Sequence, residues 1–333
     1  MSTAGAVAVL GAGSWGTALA IQLARSGVET RLWGRDWQAI EALRSTRRNA
    51  RYLPDQIFPE LLHPEPDLGR ALKNPRAIVL AVPSVAFASV LDEAARRAPA
   101  AGIIWATKGL DPSSARLLHT LADERLAPGT PCAVLSGPTF AGEVAAGLPA
   151  AVTLASRRED FATLGAELLH GGRFRVYTSD DVVGVEVGGA LKNIFAIGAG
   201  IADGLGFGAN TRAALIARGL QEMMRFGALL GARRETLMGL AGLGDLVLTC
   251  TDDQSRNRRF GLAIAQGLDV GAALARVGQT VEGAQTVRQV WRVAAAGALD
   301  MPITAEVHAI LWAGKAPLAA VNALLARPPG TEN

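Results

Sequence analysis

A glycine-rich turn close to the start of the sequence is the strongest constraint on the fold. The apolar run Ala6–Leu10 leads into Gly11-Ala12-Gly13-Ser14-Trp15-Gly16, and a helical pattern of apolar residues follows. Thr30–Trp33 then predicts a second strand. A strand, a glycine-rich turn, a helix and a second strand in this order predict a βαβ unit.

The glycine spacing indicates that this unit binds a dinucleotide. In such a turn the first glycine permits the tight bend, the second lets the backbone approach a pyrophosphate, and the third lets helix and strand pack closely. The helix N-terminus adds free N–H groups for phosphate oxygens. We therefore expect Gly11, Gly13, Ser14, Trp15 and Gly16 to contact the cofactor; the alternative is a glycine-rich turn without a ligand.

The choice between NAD and NADP depends on the residues that follow the second strand. An acidic side chain there would bind the ribose 2′-hydroxyl, whereas an arginine would suit a 2′-phosphate. Arg35 comes first and favours NADP, but Asp36 follows at once. We expect NADP(H), NAD(H) or both as cofactor, with Arg35 among the cofactor-binding residues.

Strands and helices alternate up to about residue 180, and helical patterns dominate beyond it. Further strands are predicted at Ala77–Val82, Gly102–Ala106, Cys132–Leu135, Ala150–Ala155 and Arg173–Thr178, with helices such as Val85–Arg97 and Ala115–Leu126 between them. Later helices include Val182–Ile201, Thr211–Leu230, Phe260–Gln266, Thr286–Ala296 and Ala316–Leu325. We predict an α/β Rossmann domain with a doubly wound, mainly parallel sheet over residues 1–184, and an all-α domain over residues 185–333.

Composition narrows the classes of function. Lysine and arginine number 33 against 30 acidic residues, and this net charge of +3 does not suggest a nucleic-acid partner. Two cysteines, Cys132 and Cys250, are too few for a disulfide framework, and no metal-ligand spacing surrounds them. Neither a signal peptide in residues 1–6 nor a membrane span is expected, so we expect a cytoplasmic protein. We also expect no bound metal.

Lys192 is the most informative single residue. It is the only charged residue in the apolar helical stretch Val187–Ala202, and only four lysines occur beside twenty-nine arginines. Burial would lower the pKa of a lysine towards neutrality, which would make it a proton donor for a carbonyl that receives a hydride. The alternative is a lysine whose stem lies on apolar surface while its head reaches water.

Four more segments have chemical significance. Lys108 follows a predicted strand end within Ala106–Leu110, where α/β sheets place ligands, although a surface lysine is the alternative. Gly137-Pro138-Thr139 predicts a turn into a helix, with Thr139 as an N-cap or a hydroxyl donor to substrate. Asp245 lies in the glycine-rich bend Gly242–Leu246, where an exposed turn residue is the ordinary interpretation.

The fourth segment predicts a phosphate site. Ser255 would cap a helix, Arg256 could bind phosphate oxygens bidentately, and Asn257 with backbone N–H groups would complete the site. Arg258 and Arg259 are expected to be solvated or packed.

These segments, with Gly189–Ile194 and the glycine-rich turn, resemble bacterial NAD(P)-dependent glycerol-3-phosphate dehydrogenases in order and spacing, from Val7 to about residue 315. The resemblance implies that Lys192 is the proton donor and acceptor and that Asp245 lies beside it. It also implies substrate contacts at Lys108, Gly137, Thr139, Lys192, Asp245, Ser255, Arg256 and Asn257. Cofactor contacts are implied at Lys108, Ala141, Arg256, Thr280 and Glu282, although Glu282 could simply lie at a helix N-terminus. Thr280 departs from the aliphatic residue expected at its position.

The implied activity is the reversible reduction of dihydroxyacetone phosphate to sn-glycerol 3-phosphate for glycerophospholipid synthesis. A homodimer is also expected, by resemblance only. Two other interpretations stay open. One is a related dehydrogenase acting on a different hydroxy acid with the same lysine chemistry, and the other is a cofactor-binding sensor without catalysis.

Overall fold

The computed structural model describes residues 5–328. Outside the described part lie residues 1–4, which belong to the segment considered for a signal peptide, and the last five residues of the predicted helical domain. The strands are β1 (Val7–Leu10), β2 (Thr30–Trp33), β3 (Arg48–Asn49), β4 (Leu53–Ile57), β5 (Leu62–Pro64), β6 (Ala77–Leu80), β7 (Gly102–Trp105), β8 (Cys132–Ser136), β9 (Ala150–Ala155) and β10 (Phe174–Ser179).

Eight of these strands form one sheet in the order β10-β9-β8-β7-β6-β1-β2-β5. Every neighbouring pair is parallel except β8 and β9, which are antiparallel. β1 lies between β6 and β2, so the chain winds away from it in both directions, as in a doubly wound fold. The prediction of a mainly parallel, doubly wound sheet is confirmed.

Helices cover the sheet and make up nearly all of the second half of the chain. They are α1 (Ser14–Arg25), α2 (Trp37–Thr46), α3 (Leu68–Ala71), α4 (Ser84–Arg97), α5 (Leu118–Arg125), α6 (Ala141–Ala146), α7 (Glu159–Leu169), α8 (Val182–Gly204), α9 (Ala209–Leu230), α10 (Arg234–Met238), a π-helical turn (Leu240–Gly244), α11 (Asp245–Thr251), α12 (Arg256–Ala265), α13 (Val270–Val277), α14 (Glu282–Ala296), α15 (Pro302–Trp312) and α16 (Pro317–Leu325).

α8 is the central helix of the second half. It is long and apolar enough to cross a membrane, but 94% of its most apolar window is buried inside the fold, as in the core helix of a globular domain. α12 packs closely on it at two glycines. A Cβ on Gly200 would lie 2.1 Å from the carbonyl oxygen of Arg258, and one on Gly261 would lie 2.2 Å from that of Ile197. The backbones of α8 and α12 therefore touch where larger side chains would separate them.

The predicted elements appear within four residues of their predicted bounds, and the starts of α12 and α14 differ most. The helix expected at Ala115–Leu126 begins only at Leu118. The carboxylate of Asp111 accepts hydrogen bonds from the hydroxyls of Ser113 and Ser114, and Ala115 has a left-handed backbone (φ 58°). These local bonds hold the chain in a turn that delays the helix. The short hairpin β3–β4 was not predicted. The boundary at residues 184/185 stays a prediction, and α8 runs through it.

Candidate active site

Four strand ends define the candidate site. β1, β6, β7 and β8 are adjacent and parallel, so their carboxyl ends meet at one edge of the sheet. The residues that follow β1, β7 and β8 include Gly11, Lys108 and Gly137, three of the residues predicted from sequence. Ligands of open α/β sheets bind in the crevice at this edge.

The glycine-rich turn has the geometry that a dinucleotide needs. Gly11 has φ +122°, and a Cβ there would lie 2.4 Å from the carbonyl oxygen of Ala81. A Cβ on Gly16 would lie 1.8 Å from the oxygen of Gly11, whereas one on Gly13 would meet no atom within 4 Å. No side chain caps the N-terminus of α1, so its first N–H groups stay free for phosphate oxygens. The turn fits a pyrophosphate, with Ser14 and Trp15 in the first turn of the helix.

Lys192 lies at the centre of a buried ion cluster. Lys192 is 6% exposed, and Asp245 is fully buried. The ammonium of Lys192 donates a hydrogen bond to Oδ1 of Asp245. The second carboxylate oxygen, Oδ2, accepts a hydrogen bond of 2.8 Å from Nζ of Lys108. One carboxylate thus holds two ammonium groups. The interpretation of Lys192 as a lysine reaching into water is wrong, as is that of Asp245 as an exposed turn residue.

The surroundings of Lys192 bring its pKa into the range of physiological pH. Burial, with a smaller contribution from the charge of Lys108, lowers its pKa to about 7 against the opposing effect of Asp245. An amine with this pKa is present in both protonation states near neutral pH, so it can give and take a proton. The short link between Asp245 and the two lysines keeps the amine in place while its charge changes.

Asp245 is itself held by the elements around it. It begins α11 directly after the π-helical turn, and a Cβ on Gly242 within that turn would lie 2.0 Å from the carbonyl oxygen of Leu237. Thr249, one turn later, donates a hydrogen bond of 2.5 Å to the backbone oxygen of Asp245, and its hydroxyl lies 3.3 Å from Oδ1. Thr249 was missed in the sequence, although its spacing of four residues places it on the same helical face.

A second polar group joins α8, α12 and α14. Nδ2 of Asn257 donates a hydrogen bond of 2.9 Å to Oδ1 of Asn193, the neighbour of Lys192, and the backbone N–H of Gly283 donates one of 3.0 Å to Oδ1 of Asn257. Ser255 caps α12, as predicted, by accepting a hydrogen bond from the N–H of Arg258. Arg256 is half-buried. Within residues 5–328, its guanidinium takes part in no ion pair, whereas the nearby ion pairs belong to Arg258. A cation free of a carboxylate partner beside a helix N-terminus suits an anionic ligand.

Glu282 begins α14, where a carboxylate is favoured by the helix dipole. Burial raises its pKa to about 7, while Arg256, Lys108 and Lys192 act in the opposite direction. The hydrogen bond from its neighbour Gly283 to Asn257 places Glu282 beside the site. Thr280 lies two residues before α14 and is exposed, and its predicted cofactor contact stays a prediction.

The segment after β8 lies near the ion cluster, but one predicted role within it is wrong. Gly137 has φ +154°, and a Cβ there would lie 2.8 Å from Cα of Val152. Thr139 does not cap α6, because the cap position is Phe140 and no side chain bonds there; the Thr139 hydroxyl instead donates to the carbonyl oxygen of Gly137 at 3.2 Å. Ala141 is the first residue of α6 and is half-buried.

Arg35 and Asp36, which follow β2 after Gly34, differ in their contacts. The carboxylate of Asp36 caps α2 by accepting a hydrogen bond of 3.0 Å from the N–H of Ala39. Arg35 is exposed at the carboxyl end of β2. One oxygen of the Asp36 carboxylate is thus engaged by its own helix, whereas the exposed Arg35 suits a 2′-phosphate.

The hairpin β3–β4 adds a residue that sequence patterns did not suggest. Nδ2 of the buried Asn49 donates to the carbonyl oxygen of Ala12 at 3.1 Å and to Oγ1 of Thr17 at 2.9 Å. Asn49 therefore fastens the glycine-rich turn to α1. Its contacts lie more than thirty residues away in sequence, beyond the reach of local spacing.

A dinucleotide turn on a doubly wound sheet and a buried lysine of near-neutral pKa on a facing helical domain together define a nicotinamide-dependent dehydrogenase. The comparisons with known proteins give the family. The model of the N-terminal domain of NAD-dependent glycerol-3-phosphate dehydrogenase matches residues 6–162, and that of the C-terminal domain matches residues 181–322. The chain belongs to the NAD-dependent glycerol-3-phosphate dehydrogenase family.

Relatives are similar over nearly the whole chain. It is 56% identical to the glycerol-3-phosphate dehydrogenase [NAD(P)+] of Thioalkalivibrio sulfidiphilus, over 96% of this chain and 97% of the relative. It is also 56% identical to that of Nitrosococcus oceani, over 96% and 93%. The crystal structure of glycerol-3-phosphate dehydrogenase from Coxiella burnetii superposes with a TM-score of 0.94 at 49% identity, covering 97% of this chain and 99% of that chain.

Proposed function

We propose that this chain reduces dihydroxyacetone phosphate to sn-glycerol 3-phosphate, reversibly, with NADPH or NADH, and that Lys192 is the general acid and base. The observation that supports this most is the buried cluster of Lys192, Asp245 and Lys108 at the sheet edge that carries the dinucleotide turn. The bound nicotinamide supplies or accepts the hydride. The residues of this chain bind the substrate and move the proton.

In the direction of reduction, the protonated Lys192 donates its proton to the oxygen that becomes the hydroxyl at C2. Lys108, and Asn193 beside Lys192, polarise that carbonyl by donating hydrogen bonds to the same oxygen. Asp245 holds both ammonium groups and stabilises the positive charge before transfer. In oxidation the neutral amine of Lys192 removes the hydroxyl proton, so the same residue serves both directions.

The phosphate of the substrate is assigned to the N-terminus of α12. Arg256 binds two phosphate oxygens, and Asn257 and the first N–H groups of the helix complete the site. Gly137 and Thr139 are assigned to the opposite side of the substrate, and Ala141, Thr280, Glu282 and the glycine-rich turn to the cofactor. Because the phosphate does not react, its binding energy positions the carbonyl against Lys192.

An absorbance assay tests the proposal directly. We expect oxidation of NADPH to depend on dihydroxyacetone phosphate, and a parallel assay with NADH to give the cofactor preference for which Arg35 and Asp36 compete. Lys192→Ala should bind NADPH normally and lose about two to four orders of magnitude in kcat. The exposed Lys73→Ala is the matched control. A wild-type protein that binds NADPH without turnover would instead favour a cofactor sensor.

Arg256 tests the identity of the substrate. Removing a charged hydrogen-bond partner of a phosphate costs about 1.5–3 kcal/mol, so Arg256→Ala should raise the KM for dihydroxyacetone phosphate at least about tenfold. An unchanged KM would favour a different hydroxy acid.

The cellular setting is proposed on family membership. The product suits glycerophospholipid synthesis, the cytoplasm is the proposed location, and a homodimer would give a solution mass of twice the 34.6 kDa chain. Light scattering on the purified protein measures that mass.

A further inference from the structure

A cationic cavity lies along α14, beyond the residues assigned to catalysis. It has a volume of about 300 Å³ and is lined by Pro112, Gln285, Arg288, Gln289, Trp291, Arg292 and His308. This volume lies at the lower end of the range for small-ligand sites. We propose that this cavity is a second binding site, specific for a small organic phosphate that carries an apolar group.

The two arginines give the cavity its charge. Arg288 and Arg292 are exposed and stand four residues apart, so they lie on one face of α14. Like charges at this spacing destabilise a helix. Within residues 5–328 neither takes part in an ion pair; Arg292 makes a weak contact of 3.4 Å to the carbonyl oxygen of Ser113, and Arg288 lies over the ring of Trp312 at 4.6 Å. A phosphate would relieve their repulsion.

Gln289 is the second, independent observation. Its residue is 6% exposed, it lines the cavity, and its Oε1 has no hydrogen-bond partner among the described residues. A buried polar atom without a hydrogen-bond partner destabilises the fold. Because a carboxamide can turn to present either its oxygen or its N–H groups, Gln289 can meet an acceptor or a donor of a ligand.

The aromatic wall indicates the rest of the ligand. Trp291 is 40% exposed, and its ring stacks on that of His308 with centroids 4.2 Å apart. Burial and the charge of Arg288 lower the pKa of His308, which favours the neutral ring. An apolar or aromatic group of the ligand would pack on this surface while its phosphate binds the arginines.

This cavity is distinct from the phosphate site assigned to Arg256. α14 rises about 1.5 Å per residue, so Arg288 lies about 9 Å along the axis from Glu282 at the helix start. Its other wall, Pro112, belongs to the loop that follows Lys108. The cavity is thus lined by two elements that carry site residues, but none of its lining residues belongs to the ion cluster.

Titration calorimetry with phenyl phosphate and inorganic phosphate tests the site. The titrations use Arg256→Ala protein saturated with NADPH, so that binding at the assigned substrate phosphate site is weakened. We expect one saturable site per chain, with phenyl phosphate binding more tightly than inorganic phosphate. Adding Arg288→Ala and Arg292→Ala should weaken binding at least tenfold, whereas the exposed Arg218→Ala on α9 should leave it unchanged.

Two further variants keep the test decisive. Arg292→Glu reverses one charge without removing the Arg288 contact on Trp312, and should abolish binding with an unchanged Tm. Gln289→Leu should weaken binding of phenyl phosphate without loss of stability. Absence of a second site at millimolar probe, binding that survives the double arginine variant, or a cavity closed by a second copy of the chain in solution would each overturn the proposal.

Discussion

At the scale of single residues, the site depends on how one carboxylate divides its two oxygens. Asp245 holds Lys192 through Oδ1 and Lys108 through Oδ2, so neither ammonium is fully neutralised. Desolvation then dominates and brings the pKa of Lys192 to about 7. A lysine with a carboxylate of its own would stay protonated and could not act as a base.

This division predicts a pH dependence with a defined sign. Reduction needs the protonated amine, so kcat/KM for dihydroxyacetone phosphate should fall as pH rises through about 7, whereas kcat/KM for glycerol 3-phosphate should rise. Lys108→Met removes a like charge and leaves Asp245 to Lys192 alone. Both profiles should then move to higher pH.

The pH–rate profiles of wild type and Lys108→Met provide the measurement, with Lys73→Met as the control. Lys73 is exposed and remote in sequence from the cluster, so its profile should match that of the wild type. If the midpoint of Lys108→Met stays in place, the field of Lys108 does not set the pKa of Lys192.

At the scale of elements, the short hairpin β3–β4 supports the cofactor turn through Asn49. Asn49→Ala removes two hydrogen bonds from the turn and α1, and each is worth about 0.5–1.5 kcal/mol. We expect the Kd for NADPH to rise about tenfold, with the KM for dihydroxyacetone phosphate unchanged at saturating cofactor. Fluorescence titration measures the Kd. Asn322→Ala, exposed on α16, should bind NADPH as the wild type does.

The glycine contact between α8 and α12 positions the two helices that carry Lys192 and Arg256. Gly200→Ala would force its Cβ against the carbonyl of Arg258, at 2.1 Å in the present backbone. We expect a loss of about 1–3 kcal/mol in the free energy of unfolding, the usual cost of overpacking, together with a raised KM for the phosphate substrate.

Gly142→Ala, on α6, is the matched control for that substitution, because the added Cβ would meet no atom nearer than 3.9 Å. It should stabilise the protein by up to about 1 kcal/mol through helix propensity. Chemical denaturation compares the two variants. Equal stability in both would mean that the α8–α12 contact relaxes without cost.

What could be predicted from the sequence follows from the range of each interaction. The glycine-rich turn and the isolated Lys192 were predictable, because their signals are local and chemically unusual. Thr249 was missed because Asp245 was assigned to a bend rather than to the first turn of α11. Asn49 could not be found, since its partners Ala12 and Thr17 are brought to it only by the fold. The turn at Ala115 depends on side-chain bonds to Asp111 that override helix propensity.

At the scale of the whole molecule, α8 joins the two halves of the chain. Val182 and Val185 pack in the same apolar cluster as Leu80 and Trp105 of the sheet, whereas α8 from Val187 onward belongs to the helical core. The buried Glu186 between these parts accepts hydrogen bonds from Nε1 of Trp105 at 2.9 Å and from the backbone N–H of His119 at 3.0 Å.

Because one helix belongs to both cores, we expect the protein to unfold in a single cooperative transition. Calorimetry should give one peak, and NADPH should shift the whole peak upward rather than part of it. A fragment of residues 185–333 should fail to fold, since it lacks the strands β8 and β9 against which α8 and the π-helical turn pack. Two resolved peaks, of which NADPH moves only one, would contradict this coupling.

The shared carboxylate of Asp245 also determines how many protons accompany the ligand. With two ammonium groups and one carboxylate, the empty pocket is poised to lose a proton at about pH 7, and an incoming phosphate dianion reverses that tendency. The pKa of Glu282, also about 7, moves the same way. Substrate should therefore draw protons from solution as it binds, so the apparent binding enthalpy should change with the ionisation enthalpy of the buffer. Lys192→Met should reduce that dependence and leave the part due to Glu282.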